Sequence, residues 1–252
     1  MTSQRQLVWI TGASAGIGRE LALLMANRNL RCAVTARSKD KLDALARRNA
    51  LIAAYPGDVT DRDAMSSAVD QIEANLGAVD VAVLNAGIWS EMGAHDYDAA
   101  ACERTMRVNY LGVVNAIDAL LPRMIERGRG HIVIVASVAG YCGLPRLVAY
   151  GPTKAALINH AEALMSELDG SGVIVSVVNP GFIDTAMTRD NDFPMPFIIS
   201  VEEAAGKIVR GIERRQFEIA FPWPFVLMLK AARRASYPLY FWIVRTFVKT
   251  EP

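Results

Sequence analysis

The chain has 252 residues, 52% of them hydrophobic and 21% charged, with a net charge of +1. That is enough apolar material for one large α/β domain with a well-buried sheet, and it excludes a disordered chain. Charges spread evenly along a nearly neutral chain offer no basic surface to a nucleic acid.

The N-terminus runs straight into a strand, without the longer apolar region of a signal peptide. Three scattered cysteines, Cys32, Cys102 and Cys142, form neither a metal spacing nor an even disulfide set. His95, His131 and His160 lie far apart with no ligand spacing, so no metal is expected. A reducing, cytoplasmic setting is.

Leu7 to Ile10 is a short apolar run, followed at once by Thr11-Gly12-Ala13-Ser14-Ala15-Gly16-Ile17-Gly18 and then by a helix over Glu20 to Ala26. Strand, glycine turn and helix start make a phosphate cradle, because glycine lets the backbone approach a pyrophosphate while free N–H groups at the helix start bind its oxygens. The spacing is G-x-x-x-G-x-G, not the G-x-G-x-x-G of the common dinucleotide fingerprint. Such glycines also serve a plain tight turn.

Arg31 to Ala36 reads as a second strand, buried on both faces, ending at Arg37-Ser38 where a dinucleotide-binding unit presents the adenosine ribose. An acidic residue there accepts from the 2′-hydroxyl of NAD, whereas arginine suits the 2′-phosphate of NADP. NADP is therefore the expected cofactor. Ala50 to Tyr55 is a third strand, closed by Pro56-Gly57-Asp58-Val59, and Asp61 to Leu76 is helical with Asp61 near its start. Val79 to Leu84 is a fourth strand leading into Asn85-Ala86-Gly87, where a loop glycine again permits close approach to the backbone.

A long helical segment spans Cys102 to Arg127, with an apolar stripe of Met106, Tyr110, Val113, Val114, Ile117, Leu120 and Leu121 and with Asn109 inside it. Gly128 and Gly130 mark the turn before a fifth strand that His131 opens. Ser137 follows the apolar run Ile132 to Val135, at the carboxyl end of that strand, where ligands of open α/β sheets bind. Tyr150 and Lys154 are four residues apart, one helical turn, so an ammonium group lies beside a phenol. A nearby cation favours the phenolate, which makes the pair a proton-transfer device.

The helix continues over Ala155 to Leu168, and Pro152 requires that it start near Tyr150 or bend there. Val173 to Val178 is the sixth strand, leaving through Asn179-Pro180-Gly181-Phe182-Ile183-Asp184-Thr185. Residues 182–200 read as a lid, with Met187, Phe193, Met195 and Phe197 broken by Pro194 and Pro196. Packing on the body of the domain is the other use of those side chains. Phe217 to Phe221 is a last strand. Seven strands alternating with helices imply an α/β fold: a doubly wound, Rossmann-like parallel sheet with helices on both faces.

The domain is expected over 1–222, with 223–252 as an amphipathic helical extension of it. That extension does not span a bilayer: a span needs about 20 apolar residues, and Lys230, Arg233 and Arg234 would each cost roughly 2.5 to 3.5 kcal/mol near its centre. Lys230, Arg233 and Arg234 share one helical face, as do Arg245 and Lys249, opposite Leu227, Leu229, Phe241, Trp242 and Val248. A basic stripe opposite an aromatic one suits peripheral membrane contact. It also suits helices that cover the lid or a partner subunit.

Taken together, Thr11 to Gly18, Asn85-Ala86-Gly87, Asn109, Ser137, Tyr150-x-x-x-Lys154 and Pro180-Gly181 resemble the short-chain dehydrogenase/reductase family, over roughly residues 7–220. By that resemblance Tyr150 is the acid/base, Ser137 orients and polarises a carbonyl, and Lys154 lowers the tyrosine pKa and holds the nicotinamide ribose. Asn109 keeps a water in the relay behind it. Gly12, Ser14, Gly16, Ile17 and Gly18 line the cofactor phosphates and ribose, Asp58 and Val59 flank the adenine, and Asn85, Ala86 and Gly87 form the floor. Pro180 and Gly181 join the cofactor set, and Ile183 and Thr185 meet the carboxamide. A homodimer or homotetramer paired through the fifth and sixth helices is the expected assembly. The expected activity is NADP(H)-dependent interconversion of an apolar ketone and a secondary alcohol. A non-catalytic NADP sensor on the same fold is the alternative, although binding alone has no need of a tuned phenol. A dehydratase or epimerase would often have an altered or extra acid/base.

Overall fold

A computed structural model of the chain describes residues 5–188 and 195–247. Its centre is a parallel sheet of seven strands: β1 (Leu7–Thr11), β2 (Arg31–Thr35), β3 (Ile52–Ala54), β4 (Val81–Leu84), β5 (Gly130–Val135), β6 (Val173–Pro180) and β9 (Glu218–Phe221). They lie in the order β3-β2-β1-β4-β5-β6-β9. Continuous apolar runs such as LVWIT and VAVL form strands because both faces of the sheet are covered, leaving no side for water.

One face is covered by α1 (Gly16–Asn27), α2 (Lys39–Ala46) and α7 (Val201–Glu213), packed on Val8, Ile10, Val34, Val83 and Val133. The other carries α3 (Arg62–Leu76), α5 (Gly112–Glu126) and α6 (Tyr150–Glu167) over Trp9, Ala33, Leu84, Ile132 and Val175. Trp9 is fully buried, and its indole N–H donates to Thr35 Oγ1 at 2.9 Å, so its one polar atom is satisfied inside the core. Asp61 caps α3 as its position suggests, accepting from the Ala64 amide at 3.0 Å.

Several boundaries differ from the sequence reading for identifiable reasons. The third strand shrinks to Ile52–Ala54, since it pairs only with β2 at the edge of the sheet. The segment over 102–127 is α4 (Ala99–Met106), one π-helical turn over Arg107–Leu111, then α5. The wider turn carries Asn109, and π turns recur at functional sites. The apolar stripe here is largely core: Val113, Ile117 and Leu120 are buried beneath the sheet and so cannot argue for a dimer. Pro152 sits in the first turn of α6, where its missing N–H would have had no helical partner, and the helix simply begins at Tyr150. Within the expected lid, β7 (Ile183–Asp184) and β8 (Ile199–Ser200) pair in parallel, which clamps the two ends of the segment together. Phe193 lies outside the described residues.

The chain closes with α8 (Trp223–Arg234) and α9 (Tyr237–Phe247). Lys230 leaves the expected basic stripe: its ammonium pairs with Glu218 and lies 5.3 Å from the centre of the Tyr141 ring. Among the described residues no helix is long and apolar enough to cross a membrane. Lys249 and Val248 lie outside those residues.

His131 on β5 is 6% exposed, with Nε2 2.7 Å from Ser176 Oγ. Ser176 gives its one hydroxyl proton to the Gln216 carbonyl at 2.6 Å, so the imidazole must donate its Nε2–H to Ser176. Burial, then the Arg215 charge, lowers the His131 pKa to about 4. An unfolded chain takes up this proton near pH 6.5, which the folded ring refuses. Stability is therefore expected to fall by about 3 kcal/mol as pH drops from the unfolded value through the folded one. Thermal melts across that window check it: His131→Gln, which keeps a donor and loses the titration, should give a flatter dependence than the native chain.

Candidate active site

Strand order reverses between β1 and β4, and the crevice outside the carboxyl ends of such strands is where open α/β sheets bind ligands. A cleft of about 1040 Å³ occupies that position, at the upper end of the range for small-molecule sites. It has three regions, each with its own chemistry.

The first is the glycine turn. Gly12 has φ +69°, and a Cβ on it would lie 2.7 Å from the Ala86 backbone, so no side chain fits. Gly16 has φ +54° and opens α1, whose N-terminus has no side-chain cap at Ala15. Its free N–H groups are left for an anion. Gly12, Ser14, Gly16 and Ile17 all line the cleft, as do Arg37, Ser38, Asp58, Val59, Asn85, Ala86 and Gly87. Gly18 does not: a Cβ there would lie 2.6 Å from the Gly12 carbonyl, so this glycine lets helix and turn pack closely rather than touching a ligand. Asn85 holds the turn from the other side, its amide donating to the carbonyls of Thr11 at 3.2 Å and Gly12 at 3.3 Å. A cradle that excludes side chains and ends in an uncapped helix fits a dinucleotide pyrophosphate.

The second region is the reacting end. Lys154 is 4% exposed, and its ammonium donates to the Val135 carbonyl at 2.9 Å. It lies 5.4 Å from the centre of the Tyr150 ring, so the one-turn spacing brings the two groups together as expected. The Ser137 hydroxyl is within hydrogen-bond reach of the Tyr150 phenol. The same oxygen accepts from the Ala139 amide at 3.1 Å, which orients it. The electrostatic balance departs from the expectation. Burial raises the Tyr150 pKa to about 12, against a smaller downward pull from Ser137, and burial lowers Lys154 to about 8. Burial penalises the charged form of each group, so it pushes the phenol up and the ammonium down. At neutral pH Tyr150 is a phenol holding its proton.

Asn109 is fully buried and outside the cleft lining, with Oδ1 accepting from the Ile88 amide at 2.7 Å. Its Nδ2 donates to the Ile88 carbonyl at 3.0 Å and to Thr153 Oγ1 at 3.2 Å. Both amide protons are committed to protein, and the side chain ties the floor loop to the first turn of α6.

The third region is apolar. Trp89, Leu144, Leu147, Phe182, Phe225 and Leu229 wall it, joined by Met187 and Met228 at the rim. Trp89 meets Tyr150 edge to face at 4.8 Å between ring centres, and Phe225 stacks on Phe182 at 5.5 Å. Pro180, Gly181, Ile183 and Thr185 line the passage between this region and the glycine turn. Phe197 lies 6.5 Å from Phe225, ring to ring, while Met195 is half-buried and outside the cleft lining. Sequence reasoning missed Trp89, which directly follows the floor motif, and Phe225 and Leu229, whose four-residue spacing on one helix face was the available signal.

Residues 6–193 match the family model described as short chain dehydrogenase. An uncharacterized oxidoreductase of Myxococcus xanthus is 35% identical over 235 residues, covering 92% of this chain and 93% of that protein. A 3-oxoacyl-(acyl-carrier-protein) reductase of Thermotoga maritima is 34% identical over 198 residues, covering 75% of this chain and 78% of its own. The crystal structure of a short-chain dehydrogenase from Streptomyces avermitilis superposes with a TM-score of 0.84 at 25% identity, covering 98% of this chain and 99% of that one. With the tyrosine–lysine pair, serine and glycine turn assembled around one cleft, the chain belongs to the short-chain dehydrogenase/reductase family of oxidoreductases.

Proposed function

We propose that the chain is an NADP(H)-dependent reductase of apolar ketones, working in reverse as a secondary-alcohol dehydrogenase. The observation that carries this reading is one cleft with a protonated phenol at its centre, an anion cradle at one end and a wall of aromatic and aliphatic side chains at the other.

The glycine turn and the uncapped start of α1 would hold a nicotinamide dinucleotide, which would supply the hydride when bound. Ser137 donates a hydrogen bond to the carbonyl oxygen and so draws electron density off the carbon. Tyr150, which holds its proton at neutral pH, passes it to that oxygen as negative charge builds there. Lys154, held by the Val135 carbonyl, keeps positive charge near the phenolate that remains. Trp89 packs on the ring and restricts its swing.

The NADP preference rests on Arg37 and Lys41, which line the cleft at the end of β2 with the hydroxyls of Ser14 and Ser38. Among the described residues neither cation makes an ion pair, whereas Lys39 is paired with Asp43, so both are available to an anion. The apolar character of the substrate rests on the third region. A ketoacyl reductase of Nostoc sp., 32% identical over 220 residues and covering 84% of this chain and 77% of its own, suggests that the carbonyl is carried on an acyl-like chain.

Two substitutions test the reading. Tyr150→Phe should lower turnover of hydrophobic ketones roughly 100- to 10,000-fold while leaving cofactor affinity intact; stopped-flow absorbance of NADPH reads the first and fluorescence titration the second. Unchanged turnover would remove the proton-transfer role and favour the sensor. Arg37→Asp should weaken NADPH roughly 10- to 100-fold, the worth of a charge-assisted bond to phosphate, with no loss for NADH. Equal loss for both cofactors in steady-state assays would refute the 2′-phosphate assignment.

A further inference from the structure

The helices α8 and α9 carry two apolar faces where a surface helix needs one. The inner face is used: Phe225, Val226 and Leu229 are buried with Val138 beside the cleft. On α9, Tyr240 is buried and its hydroxyl donates to the Gly143 carbonyl. The outer face has no such task. Trp223 is 67% exposed and Trp242 59%, with Leu227, Met228, Tyr237, Leu239 and Phe241 exposed around them.

The exposed charges on this face are all of one sign. Arg234 and Arg245 are exposed and make no ion pair among the described residues, while Arg233 lies toward Cys142 and Tyr240 and Lys230 is turned inward to Glu218. Between Glu218 and Glu251 the chain has no acidic residue. Tryptophan and tyrosine with arginine is the composition that settles at the boundary between headgroups and hydrocarbon. A second copy of the chain fits less well, because a symmetric contact would set the arginines of one copy against those of the other. Anionic headgroups receive them.

We infer that the outer face of α8 and α9 docks on an anionic lipid surface. Met228 belongs both to this face and to the rim of the cleft, and the exposed Met187 and Thr246 also line the cleft. A docked molecule therefore holds the mouth of its apolar region next to the bilayer, and a substrate dissolved in lipid reaches it without crossing water. That use of the surface rests on the apolar-ketone reading above; the docking itself does not.

Co-sedimentation of the full chain with vesicles tests it, using phosphatidylcholine alone or mixed with phosphatidylglycerol. The chain should pellet with the mixed vesicles and bind roughly thirtyfold more weakly to phosphatidylcholine, given two arginines near the surface. The double variant Leu227→Glu, Trp242→Glu should lose at least about tenfold in partitioning to mixed vesicles. Its melting temperature and its reduction of a water-soluble ketone should stay unchanged, since neither side chain lines the cleft. No pelleting, equal binding to both vesicle types, or full binding by the variant would overturn the docking. So would a lipid-free dimer, seen by sedimentation equilibrium, that the variant dissociates, because the face would then be covered by a second copy. Binding as expected with no ketone reduction by the native chain would overturn the catalytic reading and leave the docking standing.

Discussion

The bond from Lys154 to the Val135 carbonyl, 2.9 Å long and shut away from water, is the constraint on which the site depends. It anchors the first turn of α6 to the end of a central strand, and so places Tyr150 over the switch point of the sheet. The turn after Ser137 must then pass very close to that helix. Gly140 makes this possible, for a Cβ there would lie 2.7 Å from the Lys154 backbone. One buried hydrogen bond and one missing side chain thus bring serine, tyrosine and lysine to a common point. The cost is electrostatic, since a lysine buried deeply enough to hold the helix is driven toward its neutral form.

Much of this was legible in the chain itself. Strands buried on both faces leave uninterrupted apolar runs, so LVWIT, VAVL and the run at 132–135 announced a parallel sheet, and the glycine turn after the first of them announced a phosphate site. The Tyr150–Lys154 pair was legible because a helix converts a spacing of four into contact. What could not be read were outcomes that depend on tertiary surroundings. Asn109 looks the same in the sequence whether its amide faces a ligand or, as found, is consumed by Ile88 and Thr153. The sign of the Tyr150 shift depends on how deeply both partners are buried, which spacing does not encode.

The C-terminal helices show the same limit in another form. An amphipathic wheel assigns one apolar face and one polar face, and placed Lys230 on the polar side with Arg233 and Arg234. The fold instead turns Lys230 onto Glu218, where the carboxylate also accepts from Tyr141 at 2.6 Å and from Asn179 at 3.1 Å. That knot joins α8 to β9, to β6 and to the turn following Ser137. Leu227 and Leu229, grouped together by the wheel, end on opposite sides of the helix, one in solvent and one in the core.

The division of labour along the chain follows from where these parts lie. Cradle, floor, serine, tyrosine and lysine all fall within the stretch that matches the family, which ends at residue 193. Phe225, Met228 and Leu229, which wall the apolar region of the cleft, come after it. Hydride and proton transfer demand fixed distances to one cofactor, so the elements that set those distances must be the strands and helices of the sheet. A substrate wall has to match only the shape and polarity of its occupant. It can therefore be built from helices appended to the last strand, held by the Glu218 knot and free to differ without disturbing the chemistry. In this chain the appended helices meet the cleft with one face and the solvent with another, equally apolar one. The helices that wall the apolar region of the cleft are thus the ones that present the exposed aromatic side chains.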